Sequence, residues 1–214
     1  MERIILHWSA GAHTASTLDL AHYHFVIDGQ GRVHKGKHPV SANAGPLRAG
    51  AYAAHTLNAN TGSIGVALAA MAGAQERPFR AGKYPITPAQ VDALAALCAD
   101  LCRQYDIPVS RQTVLSHAEV QPTLGITQRG KWDVTWLPGM SEPGAPVAVG
   151  DMIRARIVAE LAPKPGAQPT PAPPNPGAAL TTEPLTLESL AAEVAALKAD
   201  VAALKGSLTW NRTS

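Results

Sequence analysis

Two histidines, a carboxylate and a lysine are the residues of this chain best suited to chemistry. His7 closes the apolar run Arg3-Ile4-Ile5-Leu6, and His117 closes Val114-Leu115-Ser116. Short apolar runs of this kind read as buried strands, which puts both rings where a sheet meets its loops. Lys131 and Asp133 follow within Gly130-Lys131-Trp132-Asp133. In extended backbone, positions two apart share a side, so Asp133 would face a metal and Lys131 developing negative charge. Catalytic zinc sites take three His, Cys or Asp/Glu ligands and leave a fourth position open. Each residue also has an ordinary role: a histidine at a strand end is commonly structural, and Lys-x-Asp is commonly an exposed ion pair.

All eight histidines lie between His7 and His117. His22 and His24, two apart on a predicted strand, would bind a metal together; the competing reading makes His24 buried support and leaves His22 flanking the site or facing solvent. His13, His34 and His38 lie in loop-like stretches and read as exposed and unliganded. Cys98 and Cys102 share one helical face and read as small core residues, consistent with synthesis in a reducing compartment. Two cysteines exclude a disulfide scaffold.

The elements that must position these groups are legible in outline. Strands are expected at Arg3–Trp8, Tyr23–Ile27, Arg32–Lys35, Ser63–Leu68 and around Val114–His117, with Asp28-Gly29-Gln30-Gly31 turning a hairpin. Gly65 within its strand signals close approach by a neighbour or substrate. Thr87-Pro88-Ala89-Gln90 is a capping box with proline in the first turn, opening a helix that ends at Ile107-Pro108. A last helix is expected over Asp151–Leu161, with Met152, Ile153, Ile157 and Leu161 as its apolar stripe. Strands interleaved with helices predict an α/β domain built on a mixed central sheet flanked by helices.

Eighteen Lys+Arg against sixteen Asp+Glu leave a net charge of +2, too balanced to demand nucleic acid. No apolar run approaches the roughly 20 residues that span a bilayer, and no signal-peptide pattern precedes Ile4. Prolines concentrate between Pro163 and Pro176, where they forbid a helix or central strand and predict a semi-rigid spacer. Beyond it, Leu187, Leu190, Val194, Leu197, Val201, Leu204 and Leu208 alternate three- and four-residue spacings. This is a heptad seam with Val at a and Leu at d, favouring a two-stranded coiled coil; a lone amphipathic helix docked on its own domain is the alternative. The expected organisation is a domain over 1–162, a linker over 163–184 and a dimerising helix over 185–209.

Six ordered blocks then resemble a known family: Ile5-Leu6-His7-Trp8, Tyr23-His24-Phe25-Val26-Ile27-Asp28-Gly29, Ala54-His55-Thr56, Asn60-x-x-Ser63-Ile64-Gly65, Leu115-Ser116-His117 and Lys131-x-Asp133. Together they are similar to the type 2 N-acetylmuramoyl-L-alanine amidases, which include phage lysozyme-like endolysins, cell-wall recycling amidases and peptidoglycan recognition proteins. The resemblance runs from about residue 3 to 160. It implies one zinc ion held by His7, His117 and Asp133, with Lys131 stabilising the oxyanion and Tyr23 beside the metal. It places His55 and Trp8 on the substrate groove and gives Glu119 a supporting role behind the ligands. The catalytic Glu of the recycling enzymes would fall at Ala67, so the phage-type Tyr/Lys pair is the closer analogy. The fifteen residues between His117 and Asp133 exceed the family's usual loop, and Val120 to Gly130 reads as a local flap.

The implied reaction is hydrolysis of the amide between N-acetylmuramic acid and L-alanine in peptidoglycan, by a phage or prophage endolysin held in the host cytoplasm until release to the cell wall. The alternatives are a non-catalytic peptidoglycan-binding module, a cytoplasmic recycling amidase, and an assembly protein whose coiled coil is the working part.

Overall fold

The computed structural model describes residues 1–163. The proline-rich spacer beyond Pro163 and the heptad stretch lie outside the described residues. The elements are β1 (Arg3–Trp8), α1 (Thr17–His22), β2 (Phe25–Ile27), β3 (Val33–Lys35), a 3-10 turn (Val40–Asn43), β4 (Ser63–Leu68), α2 (Pro88–Tyr105), β5 (Val114–Ser116), α3 (His117–Leu124) and α4 (Pro146–Leu161). They build a mixed α/β fold on a five-stranded sheet of order β3-β2-β4-β1-β5. Only the β2–β3 hairpin is antiparallel; β1 runs parallel to both β4 and β5, and β2 parallel to β4. The continuous apolar character of β1 and β4 follows, because a parallel strand is covered on both faces.

Side-chain alternation divides β1 between two environments. Ile4, Leu6 and Trp8 join Ile64, Val66 and Leu68 of β4 in a large core with Leu94, Cys98 and Leu101 of α2 and Ile153 and Ile157 of α4. Ile5 faces a small cluster with Ala59, Leu115 and Val120. His7 shares the side of Ile5, so the less densely apolar face of the sheet carries it.

The capping box at Thr87 forms as expected. The Thr87 hydroxyl accepts from the Gln90 N–H at 3.1 Å, and Gln90 Oε1 accepts from the Thr87 N–H at 3.1 Å. The amide of Gln90 also donates to the Ile27 and Ala69 carbonyls, both at 3.0 Å, which fixes α2 against the sheet.

Three expectations change. The stretch after His117 is not a flap throughout: α3 forms, accommodates Pro122, and ends at Gly125 in the left-handed conformation. Its Val120, with Leu124 and Ile126 beyond, packs on the small cluster, and that apolar periodicity overrides the proline. α4 starts at Pro146 rather than Asp151, proline being well suited to a first helical turn. Met152 points outward at 49% exposure, while Val149, Ile153 and Ile157 form the buried stripe.

Candidate metal and catalytic site

Parallel pairing brings the two distant histidines together. Leu6 lies opposite Ser116 in the β1–β5 register, so His7 and His117 follow at the carboxyl ends of adjacent strands. In open α/β sheets that edge is where ligands bind. Their rings lie 4.7 Å apart, centroid to centroid. Asp133 arrives on a turn rather than extended backbone, with Val134 left-handed at φ 61°. This turn buries the Asp133 carboxylate and leaves Lys131 exposed, so the same-side relation expected of an extended Lys-x-Asp does not set their geometry.

Asp133 Oδ2 is 3.6 Å from Nδ1 of His7 and 3.6 Å from Nδ1 of His117. One ligand atom from each residue falls within 4.8 Å of the others, and all three side chains are buried. His7 Nδ1 has no hydrogen-bond partner. A buried polar atom without a partner is costly, and two imidazole nitrogens with a carboxylate oxygen are a zinc donor set. The residues present therefore fit a metal ion.

The far nitrogens explain why the near ones are open. His7 Nε2 lies 3.3 Å from both Thr56 Oγ1 and His55 Nδ1, which are themselves 2.8 Å apart. His117 Nε2 lies 2.9 Å from Gln128 Oε1. A neutral imidazole that donates through Nε2 presents a lone pair at Nδ1, the form a metal requires. Burial, working against Asp133, pushes the His7 imidazole down to about 4, with His117 and Lys131 lowering it further. Burial alone would raise the Asp133 carboxyl, but the adjacent His117 and His7 rings hold it well below the usual carboxylate range.

His24 forms a different kind of site. Its Nδ1 accepts from the Gly65 N–H at 2.9 Å, so its Nε2–H donates to Asn43 Oδ1 at 3.1 Å. Both nitrogens are used, and His24 is buried support. His22 is exposed, with Nδ1 2.9 Å from the Leu18 carbonyl. His13 and His34 are half-buried rather than exposed, bonded to the Pro85 carbonyl and to Asp28; neither joins the ligand cluster.

The remaining expected residues surround it. The Tyr23 ring lies 5.1 Å from that of His7; burial, then the charges of Asp133 and Asp19, push its hydroxyl pKa up. Lys131 borders a cavity of about 420 Å³ shared with His117, Thr56 and Arg129, and another of about 520 Å³ walled by Phe79, Trp132 and Glu142. His55 is buried at 7% exposure and reaches the smaller cavity. Its ring packs so closely on β4 that a Cβ at residue 65 would lie 2.5 Å from its Cγ, which answers what approaches Gly65. Trp8 is 6% exposed and edge-on to Trp132 at 4.6 Å. Behind His117, Glu119 is fully buried. It accepts from Arg154 at 2.9 Å and from the Ser116 N–H at 2.8 Å.

Residues 1–139 match the family model Amidase_2, N-acetylmuramoyl-L-alanine amidase. The chain belongs to this family. No curated protein matches the amidase. Among solved structures it is similar to the N-acetylmuramoyl-L-alanine amidase LysC from Clostridium intestinale URNW, at 18% identity and TM-score 0.45, over 73% of this chain and 85% of that one. It is also similar to the Ph2119 endolysin of Thermus scotoductus MAT2119 bacteriophage Ph2119, at 17% identity and TM-score 0.42, over 73% and 84%. AmiD from E. coli matches at 21% identity and TM-score 0.38, over 55% and 48%.

Three contributors to this amidase's site were not visible in the sequence as site residues. Gln128 lies inside the long His117–Asp133 connection, and Arg154 lies in α4; no local motif marks either. Thr56 stands in the Ala-His-Thr block, but only the fold shows its hydroxyl beside His7.

Proposed function

We propose that this amidase is a zinc-dependent hydrolase of the bond between N-acetylmuramic acid and L-alanine in peptidoglycan. The observation that carries the reading is the convergence of His7 Nδ1, His117 Nδ1 and Asp133 Oδ2 at the carboxyl edge of the sheet. These residues would hold one zinc ion, which when bound supplies an acidified water and a polarised carbonyl. His7 and Asp133 enter the site neutral and ionised respectively, so neither needs to change protonation to serve as a ligand. Lys131, exposed where two cavities meet, presents its ammonium to the carbonyl oxygen as negative charge develops there. Tyr23 keeps its hydroxyl proton through neutral pH and donates it as a hydrogen bond beside His7, orienting the attacking water or the scissile group. His55 contacts substrate at the edge of the smaller cavity while backing His7. Trp8 acts on the substrate groove through Trp132, which it braces.

The reading extends to an endolysin of phage or prophage origin acting on the cell wall after release from the host cytoplasm. Ala67, opposite His7 in the β1–β4 register, is the residue that supports this over a recycling role, because a methyl group there offers no carboxylate for acid–base work. Among the described residues no helix is long and apolar enough to cross a membrane. The 187–208 heptads would pair two copies of the chain. Balanced charge gives no support to nucleic acid as a partner.

Metal analysis of the purified full chain, joined to mass spectrometry of digested sacculi, tests the proposal. One zinc per chain and new free amino termini on L-alanine are expected. Lys131→Ala should retain zinc and lose about 10²–10³ in turnover, as removal of one oxyanion contact does elsewhere. Zinc-free protein, or cleavage at any other bond, overturns the reading.

A further inference from the structure

The long connection between His117 and Asp133 returns one side chain to the site. Gln128 is 7% exposed, and its three hydrogen bonds run to two separate parts of the molecule, α3 and the Leu57 loop. Its Oε1 lies 2.9 Å from His117 Nε2, its Nε2–H donates to the Leu57 carbonyl at 3.0 Å, and its backbone N–H donates to Gln121 Oε1 at 2.9 Å. The Leu57 bond settles the orientation of the amide, because a carbonyl only accepts and the NH₂ must face it. Oε1 therefore faces His117. An amide oxygen only accepts as well, so His117 Nε2 must carry the proton and Nδ1 the lone pair.

We propose that Gln128 is a positioning residue that fixes the Nε2–H tautomer and the ring angle of His117, so that Nδ1 is ready for the metal. The inference rests on the reading of His7, His117 and Asp133 as a zinc site. Two further features fit it. The Gln121 bond ties Gln128 to α3, whose first residue is His117, so the positioning group is anchored to the element that carries the ligand. The Leu57 bond ties the same amide to the loop that carries His55 and Thr56, which back His7. A single side chain thus connects the supports of both histidine ligands. The polar contacts that orient metal-bound histidines typically contribute about 10- to 100-fold in metal affinity.

Zinc titration of the full chain against a chromophoric chelator tests this, paired with ¹⁵N NMR of the histidine rings in metal-free protein. Gln128→Ala should bind zinc about 10- to 100-fold more weakly, with His117 moving from one tautomer to a mixture. Gln128→Glu keeps an acceptor for His117 but loses the donor to Leu57. It should retain at least wild-type zinc affinity and the Nε2–H tautomer, while raising KM for peptidoglycan through the loosened Leu57 loop. Wild-type zinc affinity and an unchanged tautomer in Gln128→Ala would overturn the proposal while leaving the zinc site standing. If Gln128→Ala fails to fold, Gln128→Glu decides: weakened zinc binding with a mixed tautomer counts against the positioning role. A wild-type chain that takes up no zinc overturns the site reading itself, and this proposal with it.

Discussion

The two faces of the sheet share the same strands and do opposite work. On one, Ile4, Leu6 and Trp8 of β1 pack with Ile64, Val66 and Leu68 of β4 beneath α2 and α4. On the other, the intervening positions are Ile5 and His7 of β1 and Gly65 and Ala67 of β4, and small residues leave room for imidazoles. Four buried histidine rings form a row there: His24 to His55 at 5.6 Å, His55 to His7 at 5.3 Å, and His7 to His117 at 4.7 Å. Burying apolar side chains is favourable in itself; burying imidazoles is favourable only where partners meet both nitrogens. The packed face therefore stabilises the fold, and the histidine face carries its cost in exchange for a site.

Substitutions on the two faces should separate stability from chemistry. Leu94→Ala, at a fully buried position on the packed face, should cost about 2–5 kcal/mol of stability and leave zinc stoichiometry unchanged in the folded fraction. His7→Ala or Asp133→Ala should abolish zinc uptake and reduce amide cleavage to background. In metal-free protein the thermal midpoint of His7→Ala should move far less than that of Leu94→Ala, since it removes a ring whose Nδ1 has no partner without metal. Zinc should raise the wild-type midpoint by linkage and leave that of His7→Ala unmoved. Calorimetry of the stripped and loaded proteins checks all four; equal destabilisation by Leu94→Ala and His7→Ala in the stripped state would collapse the distinction.

The packed face was the more legible in the sequence, for a physical reason. Apolar runs, the Thr87–Gln90 capping box and the Asp28–Gly31 turn are local signals, and each reappears within two residues of where it was expected, β2 opening at Phe25 rather than Tyr23. The strand-end positions of His7 and His117 were local too, but their meeting depends on the parallel register of β1 and β5. Family resemblance supplied that pairing; spacing did not. Gln128 and Thr56 were harder still. Their hydrogen bonds to His117 and His7 span 11 and 49 residues, and no periodicity encodes them. Met152 misled because an apolar residue in a helical stripe reads as core until the neighbouring elements fix which way the helix faces.

Acid should find the histidine face first. Burial, opposed by the Asn43 hydrogen bond, pushes the His24 imidazole down to about 4, against about 6.5 in the unfolded chain. Between those values the unfolded state holds a proton that the folded state refuses, so stability rises with pH across this window. On acidification from about 6.5 toward 4, His24 alone should remove about 3 kcal/mol, using 1.36 kcal/mol per pH unit. Urea unfolding of metal-free protein as a function of pH measures the slope, and NMR of the His24 ring gives its native pKa. A native His24 that titrates near 6.5 would remove it from the histidine face's account and place it with ordinary solvated rings.

The smallest effect concerns one hydrogen atom. Gly65 lies on the histidine face of β4, where its backbone N–H serves His24 and its Cα abuts His55. An added Cβ would fall 2.5 Å from His55 Cγ and 2.6 Å from Cδ2, closer than two carbons can approach. The strand cannot yield easily, because residue 65 is paired with Ile5 in the sheet and with His24 through both its N–H and its carbonyl. The ring must move instead, and it is tethered to Thr56 and His7. Gly65→Ala should therefore cost about 1–3 kcal/mol from overpacking. Unlike a packed-face substitution of similar cost, it should also weaken zinc binding, because a displaced His55 no longer backs His7 Nε2. Chemical denaturation and chelator competition on the same preparation measure both quantities. Lost stability with wild-type zinc affinity would mean that His55 fills space beside His7 without helping to orient it.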